Sequence, residues 1–255
     1  MKLAVIADIH GNLAALETVL NEIENEDNVD QVWVLGDLAA HGPQPAECVS
    51  RIRERHEADK DGFKVIGGNT DRYLVTNARI ARKRAEDEAG YNTYVEQFRQ
   101  ESDMIDWARA ALGWANYEFL SKIIGREVGE MVQDYGFVLG YHAVPGNDEY
   151  NITDDTPDEE ALDSVLDRPL RLGVYGHIHR QVDRDLGRAR LVNPGSVGMS
   201  FEKPGHAQYM LLTFDGGNLT VEHRNRAYDA AAVLEVANAV GHPHPAFLAN
   251  MWQVD

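Results

Sequence analysis

Short apolar runs that stop abruptly on a polar residue recur along the first third of the chain. Residues 3–7 (LAVIA) and 32–35 (VWVL) carry no charge and end at Asp8 and Gly36, the pattern of strands buried on both faces. Between them Leu13, Leu16, Val19, Leu20 and Ile23 recur at helical spacing. The opening therefore reads strand–helix–strand, the unit of a parallel sheet with a right-handed crossover. A second helix over about 45–55 leads to a third strand at 63–66. From about 74 to 122 there are no β-branched runs, only charged and aromatic sequence such as ARIARKRAEDEA. This predicts a helical insertion continuous with the core, with Trp107, Trp114, Tyr117 and Phe119 packing inward.

Residues 127–142 read as two strands, the second ending at His142. The acidic stretch 146–167 reads as a solvated loop followed by a helix with an acidic first turn. Strands follow closely at 171–175, 181–185, 189–192, 208–214 and 219–224, with Asp215-Gly216-Gly217-Asn218 as a hairpin connection. The tail, 229–254, reads as one or two helices broken at Gly241-His242-Pro243. A chain that begins as α/β and ends in antiparallel strands is satisfied by two mixed sheets packed face to face, with helices outside. One domain over 1–255 is expected, with the insertion at about 74–122 and a helical tail from about 228.

Composition narrows the function. With 24 Lys+Arg against 42 Asp+Glu the formal net charge is −18, which disfavours a nucleic-acid partner because nonspecific affinity comes from cations neutralising phosphates. A small phosphorylated substrate remains compatible, since bound metal ions invert the local field. Cys48 is the only cysteine, so no thiolate zinc cluster can form. The first apolar run is too short for a signal peptide and no stretch approaches a membrane span, so a cytoplasmic location without membrane association is expected.

Residues able to bind metal stand just after the strands, where α/β folds place their ligand sites. They are Asp8-x-His10, Gly36-Asp37, Gly68-Asn69-x-Asp71, His142 and Gly176-His177-x-His179. Asp-x-His and Gly-Asp are individually common, whereas Gly-His-x-His after an apolar strand is rare. Asp71 aside, they supply two Asp, one Asn and four His, a mixture suited to borderline divalent ions such as Mn, Fe, Zn, Ni or Co. Seven such side chains with one bridging carboxylate would hold two ions, the arrangement that polarises a phosphoryl oxygen and generates hydroxide near neutral pH.

In this order the motifs resemble the calcineurin-like metallophosphoesterase superfamily over about residues 1–225. The segments DLAAHGPQP from Asp37 and NPGSVG from Asn193 are similar to loops of its small bacterial phosphodiesterase branch. The resemblance implies a four-layer αββα sandwich. It implies that Asp8, His10 and His179 hold one metal, that Asn69, His142 and His177 hold the other, and that Asp37 bridges them. It also implies a metal-bridging hydroxide as nucleophile. The family commonly has Gly-Asn-His-Asp or Glu, whose His protonates the leaving oxygen; here that position is Thr70. A threonine hydroxyl donates a hydrogen bond but is no acid near pH 7. His41 is the candidate replacement, against a plain loop histidine. Asp71 is expected to orient Asn69 or the adjacent backbone, and Arg72 either to contact phosphate or to pair on the surface. The readings left open are a phosphodiesterase, a phosphomonoester or phosphoprotein phosphatase, and a catalytically weak metal-stabilised scaffold. His56, His223, His242 and His244 are assigned no role; His206, in the loop 199–206 close to where substrate would sit, is read as an ordinary loop residue.

Overall fold

The computed structural model describes residues 1–80 and 84–254. Two five-stranded mixed sheets face one another. The first runs β10-β9-β1-β2-β3, with β1 (Lys2–Ile6), β2 (Gln31–Leu35) and β3 (Phe63–Ile66) parallel and β9 (His206–Asp215) antiparallel to β1. β10 (Asn218–Ala227) completes its edge, paired from Asn218↔Asp215 across the Gly216-Gly217 turn. The second runs β4-β5-β6-β8-β7. There β5 (Gly136–Tyr141), β6 (Leu172–Tyr175) and β8 (Arg190–Pro194) are parallel, flanked by antiparallel β4 (Val128–Val132) and β7 (Gln181–Asp185).

The apolar runs are buried on both faces because each face meets a different layer. Leu3, Val5 and Ala7 point between the sheets, where they join Trp33, Leu35, Val138, Val174 and Met210. Ala4 and Ile6 point outward to a second core with α1 (Leu13–Glu22), α2 (Pro45–Ala58) and α4 (Glu88–Ile123). The outer face of the second sheet is covered more thinly, by α5 (Asp158–Asp163) and its flanking loops. The expected αββα sandwich is therefore the fold. At the tail, α6 (Ala230–Ala239) and α7 (Pro245–Trp252) pack over Met199 and are separated at the predicted Gly-His-Pro break.

Two expectations about the insertion need correction. The segment 77–80 and 84–87 is irregular, not helical; residues 81–83 lie outside the described residues. The helix before it, α3 (Asn69–Thr76), stops because Asn77 adopts a left-handed conformation (φ 64°). The next begins when Asp87 accepts the Gly90 N–H. Trp114 is not in the core but 74% exposed, stacked on Tyr117. The non-helical Gly113 (φ 71°) kinks α4 just before it, and the helix instead buries Ile105, Ala108, Leu112, Phe119 and Leu120.

Candidate metal centre

The sheet ends deliver the site. The loop after β1 is zipped to the loop after β2, since Asp8 N–H donates to Gly36 O and His10 N–H to Asp37 O (3.0 and 2.9 Å). Within the second sheet Gly176 N–H donates to His142 O (2.8 Å), and that sheet joins the first through His177 N–H to Asp8 Oδ2 (2.9 Å). Asp8, His10, Asp37, His177 and His179, five of the seven expected ligands, have φ between 48° and 69°. Left-handed backbone at non-glycine residues is strained, and it persists where surrounding structure over-determines it, typically at functional sites. Close approach matters as well. A Cβ on Gly68 would collide with Asp37 Oδ1 and lie 2.6 Å from His142 Cε1.

All seven side chains converge, and their proton inventory shows what they lack. His10 Nδ1 lies 3.0 Å from Ala40 O and His179 Nδ1 lies 2.9 Å from Met199 O. A carbonyl can only accept, so both rings carry their proton on Nδ1. Their Nε2 lone pairs then face each other at 2.9 Å with no hydrogen between them. Burial keeps both rings neutral, moving His10 down to about 4 and His179 well below its ordinary value. On the other side His142 Nδ1 donates to Leu35 O (2.7 Å) and His177 Nε2 to Glu149 O (3.2 Å). Their free nitrogens meet the Asn69 amide at 2.9 and 3.1 Å. A backbone carbonyl fixing the tautomer of an imidazole is how proteins orient metal-ligating histidines.

The carboxylates complete the donor set. Asp8 Oδ1 is buried with no hydrogen-bond partner among the described residues, and burial together with the charge of Asp37 pushes its pKa well up. Burial also opposes ionisation of Asp37, yet the surrounding His142, His10 and His177 and the Thr70 N–H hold it well below the usual range. Its two oxygens diverge: Oδ2 lies 3.7 Å from His10 Nε2 and Oδ1 lies 3.6 Å from His142 Nε2. Ligand atoms of Asp8, His10 and His179 fall within 4.8 Å of one another, and so do those of Asp8, Asp37 and His142. Asp8 thus stands within reach of both groups. Opposed lone pairs and an orphaned buried carboxylate oxygen fit divalent cations.

Around the cage, Asp71 accepts the N–H groups of Leu38 and Gly68 (both 3.0 Å), so it orients backbone rather than Asn69. Burial, then the charge of Asp37, raises its pKa to about 7. Arg72 pairs with Asp148 and Glu149 (2.7 and 2.6 Å), the second of the two expected alternatives. His41 faces His10 (Nδ1 to Nδ1, 3.2 Å), and its Nε2 meets Glu101 of α4 at 3.1 Å. Burial works against a charged His41, but Glu101 outweighs it and raises the pKa. A cavity of about 340 Å³ opens over the cage, bounded by Thr70, Glu101, Phe201 and Phe247 among others. A larger hollow of about 570 Å³ beside α2 contains none of the seven residues, so size alone does not mark the site. Sequence reasoning missed Glu101, Phe201 and Phe247. Their place beside the cage is set by tertiary packing and left no local signal.

A two-sheet sandwich carrying a buried Asp/His/Asn cage at its strand ends fits the metallophosphoesterase class. The chain belongs to the calcineurin-like phosphoesterase superfamily, whose domain model matches residues 1–217. It is 48% identical over 254 residues to an uncharacterized protein of Methanocaldococcus jannaschii, covering 91% of this chain and 90% of that protein. A symmetrical bis(5'-nucleosyl)-tetraphosphatase of Shewanella sediminis is 30% identical over 104 residues, 41% of this chain and 36% of that enzyme. Among solved structures, a metallophosphoesterase from Sphaerobacter thermophilus superposes with a TM-score of 0.71 at 20% identity, over 100% of this chain and 98% of its own.

Proposed function

We propose that this metallophosphoesterase is a two-metal phosphodiesterase acting on a small phosphorylated substrate. The observation that carries the reading is the divergence of the Asp37 oxygens between two sets of imidazole lone pairs. In it Asp8, His10 and His179 serve one ion, Asn69, His142 and His177 the other, and Asp37 sets their separation. Two divalent ions at such a centre polarise the phosphoryl oxygens and generate hydroxide from water near neutral pH. The mixed donors suit Mn, Fe, Zn, Ni or Co, and manganese is the first ion to test. Asp71 keeps the Leu38 and Gly68 amides, and with them the Asp37 and Asn69 loops, in place. His41, held by Glu101, packs beside the His10 ring.

Thr70 sets the substrate preference. Its hydroxyl is buried at the cavity and has no hydrogen-bond partner among the described residues, so it is free to donate to a substrate oxygen. It cannot supply a proton near pH 7, and general acid catalysis is typically worth about 10²–10⁴-fold. Esters that leave without protonation are therefore favoured. The test is elemental analysis beside a panel of aryl phosphodiesters, alkyl monoesters, nucleotides and phosphopeptides after Mn²⁺ loading. Two ions per chain and a clear preference for the aryl diester are expected; preference for alkyl monoesters or phosphopeptides overturns the reading.

A further inference from the structure

The cavity over the cage is chemically lopsided. Beside polar groups that include Asp37, His10, Asn69, His177, His41 and Glu101, its lining gathers the apolar Met199, Phe201, Phe247, Met251 and Ile80. Phe201 is 51% exposed although its ring centroid is 4.6 Å from that of the expected ligand His179. Phe247, on α7, lies 6.4 Å from the His41 ring. Ile80 is a further exposed aliphatic residue at the same rim. Exposed apolar side chains gathered beside reactive groups mark a ligand surface more often than chance, and about 340 Å³ lies within the range of small-molecule pockets.

From this wall we infer that one ester arm of the substrate is an uncharged, ring-bearing apolar group that packs on Phe201 and Phe247 while the phosphate sits over the cage. The inference rests on the phosphoesterase reading and adds the substrate class. Two aromatic rings framing one space favour an aromatic arm, because offset or edge-to-face ring contacts add to simple burial. A small alkyl arm leaves the wall wet, and a carboxylate-bearing arm would bring a charge against apolar faces and Glu101. The wall comes from three separate pieces of chain: the loop after β8, the segment after α3, and the tail helix.

The experiment measures binding and turnover separately on the Mn²⁺-loaded full chain. Affinities of 1-naphthylmethylphosphonate and methylphosphonate, which cannot be hydrolysed, are compared by calorimetry. The wild type is expected to favour the naphthyl compound by about tenfold or more, and Phe201→Ala to cut that ratio several-fold. Phe201→Tyr, which retains a ring, should restore most of it. Phe201 is half exposed on a loop, so the variant is expected to fold; a thermal melt checks this. In parallel, kcat/KM is read for aryl phosphodiesters of matched leaving-group acidity, with and without a carboxylate on the ring. The neutral ester should be preferred, with Phe201→Ala raising KM more than it lowers kcat. Equal affinity for the two phosphonates, or a ratio unchanged in Phe201→Ala, overturns the inference even if diesters are hydrolysed. Naphthyl selectivity without turnover of any ester would instead uphold the wall and defeat the phosphodiesterase reading.

Discussion

The strand-end cage and the apolar wall beside it are built in opposite ways. Each imidazole of the cage is pinned by a backbone carbonyl, Ala40, Leu35, Glu149 or Met199, and the loops that carry them are laced to one another by main-chain hydrogen bonds. The wall residues Phe201, Phe247 and Ile80 lie on a loop, a tail helix and an irregular segment; their side chains carry no hydrogen bonds, although the Phe201 N–H donates to His179 O (3.3 Å). Geometry tolerances explain the difference. Metal coordination fails with errors of a few tenths of an ångström, whereas an apolar surface works over a broad range of positions. On the proposed reading the sheet ends carry the chemistry, while a loop, an irregular segment and the tail helix carry the selectivity.

The sharpest way to break that contrast is to remove the shared carboxylate. Asp37→Ala is expected to lower kcat/KM by roughly 10³-fold or more and to leave one ion or fewer by elemental analysis. Two ions retained in that variant would deny the bridging role. The second expectation concerns backbone support: Asp71→Ala leaves the Leu38 and Gly68 amides buried without an acceptor. Metal affinity should fall about 10–100-fold and stability by about 2 kcal/mol, read by competition with a chelator and by denaturant unfolding.

The smallest effect belongs to the bridge between the two regions, His41 with Glu101. Their side chains are 12% and 19% exposed, so Glu101→Gln should cost about 1 kcal/mol. The raised His41 pKa gives the sign. Protonated His41 favours the folded state, so this contribution is fully present below the ordinary value of 6.5 and is lost as the pH rises through the folded pKa. The gap between wild type and Glu101→Gln should therefore be widest in mildly acidic buffer and close with increasing pH. A gap that widens instead would mean that the pair does not titrate in this way.

The cage and the wall also differ in how far the sequence reveals them. The strands before Asp8, Asp37 and His177 are legible because apolar β-branched runs have few alternatives, and a polar residue at such a run's end has one natural location. Hence the two sheets, their antiparallel return through β9 and β10, and the gathering of the seven polar residues could be read in advance. The tautomer locks could not, because they depend on carbonyls up to 107 residues away, as for His142 and Leu35. Nor could the left-handed backbone at Asp8, His10 and Asp37, which carries no compositional mark. The errors fall in the insertion, where helical spacing is ambiguous. Trp114 has a core-former's side chain but follows a kink that turns it to water, and 77–80 has helix-like composition without the contacts that would stabilise a helix.

The distribution of the donors along the chain has a consequence for biogenesis. His179 follows Asp8 by some 170 residues, and the Trp252 indole closes on Gly198 O, with the Gly198 N–H donating to Asp8 O. A growing polypeptide therefore has no chelating pocket until both sheets have emerged and paired. On the two-metal reading, ions would be captured by the finished molecule rather than by the nascent one.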